Sequence, residues 1–176
     1  MNHHLSREFI KYLDRDGDLE SGYAPEQVAT WLEQLALPYG LLCFMKWDWP
    51  QSDCQIAHIR ILSSASIYAD EATAHLLKHG LLNAGSAPNG DWFAVDFSAE
   101  ACVPGFVTHE EWSPWGDEPR DARRFFQPVA RSFESFLYRI VEDRYLPTDY
   151  YAAREFNTFL ASERHVEPSV TTVGEA

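Results

Sequence analysis

Gly80-Leu81-Leu82-Asn83-Ala84-Gly85-Ser86-Ala87-Pro88-Asn89-Gly90-Asp91-Trp92-Phe93-Ala94-Val95-Asp96-Phe97 is the stretch whose reading decides the fold class. Asn89-Gly90 is a strong turn signal, and Phe93, Val95 and Phe97 after it share a face at the two-residue period of a strand. Gly85, Asn89 and Gly90 read as turn positions that require positive φ. Asp91 and Asp96 are expected to bond turn amides rather than to carry chemistry.

Outward from this turn the middle of the chain reads as β-rich. Gly40 to Trp47 is an apolar stretch read as part of it. Gln55 to Leu62 alternates, with Ala57, Ile59 and Ile61 on one face, and a further strand includes Phe106 to Thr108. Ala69 to His79 reads as a helix between strands. Both ends turn helical. Leu5, Phe9, Tyr12 and Leu13 predict a short helix over 6–14, and Pro25 opens a second whose stripe is Val28, Trp31, Leu32 and Leu35, ended at Leu37-Pro38-Tyr39-Gly40. Pro128 opens a segment with the stripe Val129, Phe133, Phe136, Leu137, Ile140 and Val141. Pro147 breaks it, and Thr148 is expected to cap a last helix with Ala152, Phe156, Phe159 and Leu160 facing inward. The expected class is α+β, a mainly antiparallel sheet flanked by N-terminal and C-terminal helices. One domain over 1–163 is expected, with 164–176 as a flexible tail.

Composition bounds the function. A chain of 176 residues buries about 70% of its unfolded surface. Its 11 Phe, 8 Tyr and 6 Trp can fill a core without disulfides or metal. Cys43, Cys54 and Cys102 match no disulfide framework and no CxxC motif, so they read as reduced thiols of a cytoplasmic protein. Met1 to Asp16 holds no apolar signal core, and the longest apolar run, Leu35 to Met45, is interrupted by Pro38 and Gly40; neither membrane nor export is expected. Net charge is −13, and residues 1–119 carry −12 of it, with 18 acids against 6 bases. Such a field repels nucleic acid and attracts basic surfaces.

The glycine-rich stretch from Gly80 to Phe97 resembles the hairpin of the SUKH superfamily, in which a loop ending in Gly-Asp joins two strands. Val107-Thr108-His109-Glu110-Glu111-Trp112 follows in the order of that family's next strand and tryptophan. Ala130-Arg131-Ser132-Phe133-Glu134-Ser135-Phe136-Leu137 is similar to its terminal Ser-Phe-x-x-Phe-Leu helix, and the helix closing on Leu37-Pro38 is similar to its opening one. The resemblance covers residues 25–40 and 80–141; residues 41–79 and the helix after Pro147 depart from the pattern. It implies a compact α+β domain without catalytic residues or cofactors. Many bacterial members are immunity proteins that bind a cognate toxin, and a fungal relative regulates cell-wall glucan synthesis through protein contacts.

Chemistry-bearing motifs are weak. Asp14-Arg15-Asp16-Gly17-Asp18 imitates the start of a calcium loop, but Leu19 stands where glycine is required and Pro25 where a bidentate carboxylate is. His75 and His79 have the four-residue spacing of zinc ligands, yet Leu76 replaces the glutamate of a metalloprotease helix. His109-Glu110-Glu111 could supply an acid and a base but has no neighbouring nucleophile, and Ser63, Ser64 and Ser66 lack a nucleophile-elbow context. The informative stretch is Glu110 to Asp121. Glu110, Glu111, Trp115, Asp117 and Glu118 are the candidate protein-binding residues, an indole flanked by carboxylates that favour a basic partner. Trp112 is expected to pack on the sheet. The expected function is a non-catalytic protein-binding domain, an immunity protein neutralising a cognate bacterial toxin, set against two alternatives, a regulatory adaptor and a small hydrolase or metal-dependent enzyme.

Overall fold

The computed structural model describes residues 11, 23–98, 100–115, 120–142 and 144–163. In chain order the elements are α1 (Glu26–Gln34), α2 (Tyr39–Trp47), β1 (Cys54–Ile56), β2 (Ile59–Ile61), α3 (Ser64–Ala69), α4 (Glu71–Leu77), β3 (Leu81–Ser86), β4 (Trp92–Asp96), β5 (Val103–Val107), β6 (Phe126–Pro128), α5 (Phe133–Val141) and α6 (Tyr150–Glu163), with a 3-10 turn at Ala122–Phe125. The six strands form one antiparallel sheet whose order is the chain order. The class is α+β, as the sequence predicts. No helix of the described residues is long and apolar enough to cross a membrane.

The two-residue period of the strands divides the interior in two. Leu82, Ala84, Phe93, Val95 and Phe106 face a large core shared with α1, α2, α3, α5 and α6, while Leu81, Ala94 and Val107 face a small one made by Leu76, Trp112 and Ala122. The large core is held by a train of rings. Trp49 meets Phe44 at 5.5 Å, Phe44 meets Phe133 at 5.6 Å, Phe133 meets Phe136 at 5.8 Å, and Phe136 meets Phe93 at 5.1 Å. These tilted and edge-on contacts suit the ring quadrupole. The buried Trp49 indole N–H donates to the Leu62 carbonyl at 2.7 Å, so burial of its one polar atom carries no penalty.

Several local expectations are corrected. Gly40 to Trp47 is helical rather than extended: Leu41, Phe44 and Met45 are buried at i, i+3 and i+4, and Pro38 stands at the N-cap. Gln55 to Leu62 is a tight hairpin rather than one strand. Ala57 takes φ 52° at its turn and is exposed, leaving Ile56, Ile59 and Ile61 buried. The helix expected over Ala69 to His79 is present as α4, shorter at both ends, and a separate helix, α3, precedes it; Asp70 ends α3 in an extended conformation and caps α4 by accepting from Thr73 N. Ser63 caps α3 in the same way, accepting from Ser66 N at 3.1 Å. Pro128 ends β6 instead of opening a helix; α5 starts at a reciprocal Ser132–Ser135 cap. Asp149, not Thr148, caps α6 by accepting from Ala152 N at 2.9 Å. Among its described side chains Tyr150 and Ala153 are buried, while Ala152 and Phe156, expected inward, are half-buried. The expected helix over 6–14, the Asp14–Asp18 loop, the tail 164–176 and the side chains of Phe159 and Leu160 lie outside the described residues.

Of the expected positive-φ positions only Gly90 has one, at 97°; Gly85 and Asn89 do not. Gly85 is required for space, since a Cβ there would lie 2.0 Å from the Arg60 carbonyl oxygen across the β2–β3 pairing. Gly85→Ala is therefore expected to part those strands and cost about 3 kcal/mol, measured as a lower urea midpoint.

Candidate functional site: an acidic loop with a displayed indole

The loop after β5 is built on a buried aspartate. Asp91, at the start of β4, has no solvent exposure. One carboxylate oxygen accepts from His109 N at 3.0 Å and from His109 Nδ1 at 2.8 Å. The other accepts from Asn89 Nδ2 at 2.9 Å and from Tyr150 N at 3.0 Å. An ionised carboxylate has about four acceptor positions, and all are taken. Burial alone would raise this carboxyl, but the bonds from Asn89, His109 and the Tyr150 amide outweigh it and hold Asp91 below the usual carboxylate value. The expectation that Asp91 bonds turn amides is thereby widened: it fastens the turn, the start of the acidic loop and the first residue of α6 together. Asp96 accepts from Ser98 N at 2.9 Å and, beyond its own turn, from Arg123 Nη2 at 2.7 Å.

From His109 the chain runs into the candidate residues. Trp112 is buried on the small core, edge-on to Trp92 at 5.4 Å and to His79 at 6.1 Å. Its indole N–H donates to the Arg120 carbonyl at 2.9 Å, tying the far side of the loop to the near side. Trp115 between them is 63% exposed. Its backbone N–H donates to Ser113 Oγ at 3.3 Å, and its ring stands 6.4 Å from that of His75 on α4. The Tyr151 hydroxyl on α6 donates to Glu110 Oε2 at 2.8 Å and lies 3.5 Å from Glu111 Oε1. The bond to the Glu110 carboxylate raises the Tyr151 phenol, because it favours the protonated form. Arg154 lies over the Tyr151 ring, 5.1 Å from its centroid.

The fold thus gathers Glu110, Glu111 and Trp115 on one exposed loop, while Asp117 and Glu118 lie outside the described residues. Sequence reasoning missed Tyr151, the contact of His75 with Trp115, and the reach of Asp91 beyond its own turn. Of these only Asp91 had a signal, its place directly after the Asn-Gly turn. His75 and His79 point to different partners, Trp115 and Asp121 (3.3 Å from His79 Nδ1), rather than to a common ion. Among the described residues no group of three or more His, Cys, Asp or Glu is placed to hold a metal ion. Cys43, Cys54 and Cys102 are free, and burial pushes the Cys54 and Cys102 thiols up to about 11, which makes both poor nucleophiles.

No protein-family model matches this chain, and no curated protein or solved structure matches it either.

Asp91 is depressed in the fold, so its stabilisation is complete above the unfolded value of about 3.9 and is lost as pH falls through the lower folded value. Asp91→Asn is expected to cost about 3 kcal/mol at neutral pH, since charge-assisted bonds are removed in a buried site. It should also flatten the acid limb of the stability profile, followed by urea titration at stepped pH.

Proposed function

We propose that the chain is a non-catalytic protein-binding domain that takes a partner with a basic surface on the Glu110–Trp115 loop. The observation that carries this is Trp115, 63% exposed on a loop whose neighbouring indole is buried and whose flank is acidic. A large exposed ring on a constrained support loses little entropy when a partner covers it, and the carboxylates of Glu110 and Glu111 select cations around it. The −12 balance of residues 1–119 adds long-range attraction for the same partner.

On the resemblance to the SUKH superfamily, we further assign the partner as a cognate bacterial toxin that this protein neutralises in the cytoplasm. The support is the order of features that carries the resemblance: the Gly90-Asp91 turn between β3 and β4, β5 followed by Trp112, and the Ser132-Phe133 start of α5. The adaptor reading shares the same binding chemistry and differs only in the partner.

Co-expression with the toxin of an adjacent gene should rescue growth, and the two proteins should copurify with an association rate that falls as salt rises. Rescue without a complex would replace binding by enzymatic repair, and a salt-independent rate would remove the acidic field from the mechanism. Two variants separate display from packing. Trp115→Ala is expected to weaken the complex by roughly 2 kcal/mol or more without lowering the melting temperature. Trp112→Ala is expected to destabilise the fold by about 3 kcal/mol, as loss of a buried aromatic does. Normal binding with early melting for Trp115→Ala would make the loop a core flap.

A further inference from the structure

The surface between α1 and α3 carries a further concavity. There an open groove of about 470 Å³ is lined by Glu26, Gln27, Thr30, Trp31, Gln34 and Tyr68. The five residues from α1 fall at 26, 27, 30, 31 and 34, the spacing of one helix face. Trp31 sits at the margin of the buried stripe and is half-buried, whereas Val28, Ala29 and Leu32 are buried. The Tyr68 ring meets it nearly edge-on, with centroids 5.4 Å apart and planes at 71°, and Tyr68 is 39% exposed. Two rings at this angle form an aromatic corner in the groove.

The polar lining includes several acceptors. Gln27 directs its amide nitrogen at the Tyr68 hydroxyl at 2.9 Å, which leaves its carbonyl oxygen to accept. The Thr30 hydroxyl donates to the Glu26 carbonyl at 2.9 Å, which leaves its oxygen lone pairs outward. The Glu26 carboxylate has no ion-pair partner among the described residues, and no lining residue is basic. An aromatic corner with a free carboxylate and outward acceptors fits a planar cation that only donates hydrogen bonds. That is the chemistry of a guanidinium.

We infer that this groove is a socket for an arginine side chain of a partner protein, with the guanidinium against the Trp31–Tyr68 corner and its N–H groups on Glu26 and Gln27. Among the described residues Glu26 is the one charged residue of the lining, and its sign favours such an occupant. The site is separate from the Trp115 loop, and neither assignment depends on the other.

The test is titration of the ¹⁵N-labelled full chain with N-acetyl-argininamide, read at the assigned Trp31 indole N–H, beside its neutral isostere N-acetyl-citrullinamide. A saturable shift is expected for the arginine probe, with affinity at least about 5-fold weaker for the citrulline one. Glu26→Gln should weaken arginine binding about 5-fold, and Tyr68→Ala should weaken it more. Glu26 is exposed, so the first variant keeps its melting temperature and remains a valid test even where Tyr68→Ala lowers it. Absence of saturation at Trp31 on the order of 50 mM probe, an affinity far weaker than any functional socket, overturns the inference. So do equal affinities for the two probes, or a saturable shift with methyl glucoside in place of arginine, which would make the groove a neutral sugar site.

Discussion

Four hydrogen bonds to one buried carboxylate hold the parts of this molecule in register. Asp91 takes donors from its own turn, from His109 after β5 and from the first amide of α6, residues separated from it by as many as 59 positions. A buried carboxylate without these donors would cost several kcal/mol, so the charge is tolerable only when all three segments are in place. The acidic loop inherits its starting point from this anchor. Tyr151, next to the anchored Tyr150, inherits its reach to Glu110 in the same way.

The two cores then divide the work. The ring train from Trp49 to Phe93 packs the helices onto one face and supplies most of the buried apolar area. The small core opposite is centred on Trp112, which closes the loop through its bond to Arg120. The next indole, Trp115, lies outside, with its backbone bond to Ser113 and the His75 ring beside it among the described residues.

Much of this was legible in the residues. The Asn89-Gly90 turn, the alternation of Phe93 and Val95, and the stripe from Phe133 to Ile140 are strong local signals, and each corresponds to an element in the fold. Gly40 to Trp47 was misread because a short apolar run carries no clear period; its helical spacing lies only in Leu41, Phe44 and Met45. The hairpin at Ala57 left no mark, since an alanine at φ 52° has none of the composition by which such turns are recognised. Thr148 and Asp149 are both capping residue types, so composition could not choose between them. At the site, Glu110, Glu111, Trp112 and Trp115 are close in sequence and were readable as a group. The bonds from His109 and Tyr150 to Asp91 span 18 and 59 residues, and no local pattern encodes a meeting at that distance.

Strand order that repeats chain order has a kinetic consequence. Every strand pairs with its predecessor, so the sheet can grow by successive pairings of neighbours in the chain. Two of these closures are long: β2 to β3, which takes in α3 and α4, and β5 to β6, across the acidic loop. The junction of Asp91 with α6 must come later still, when the C-terminal helix reaches back over an assembled sheet. A chain emerging from synthesis could therefore complete β1 to β5 early and acquire its Asp91–Tyr150 lock only at the end.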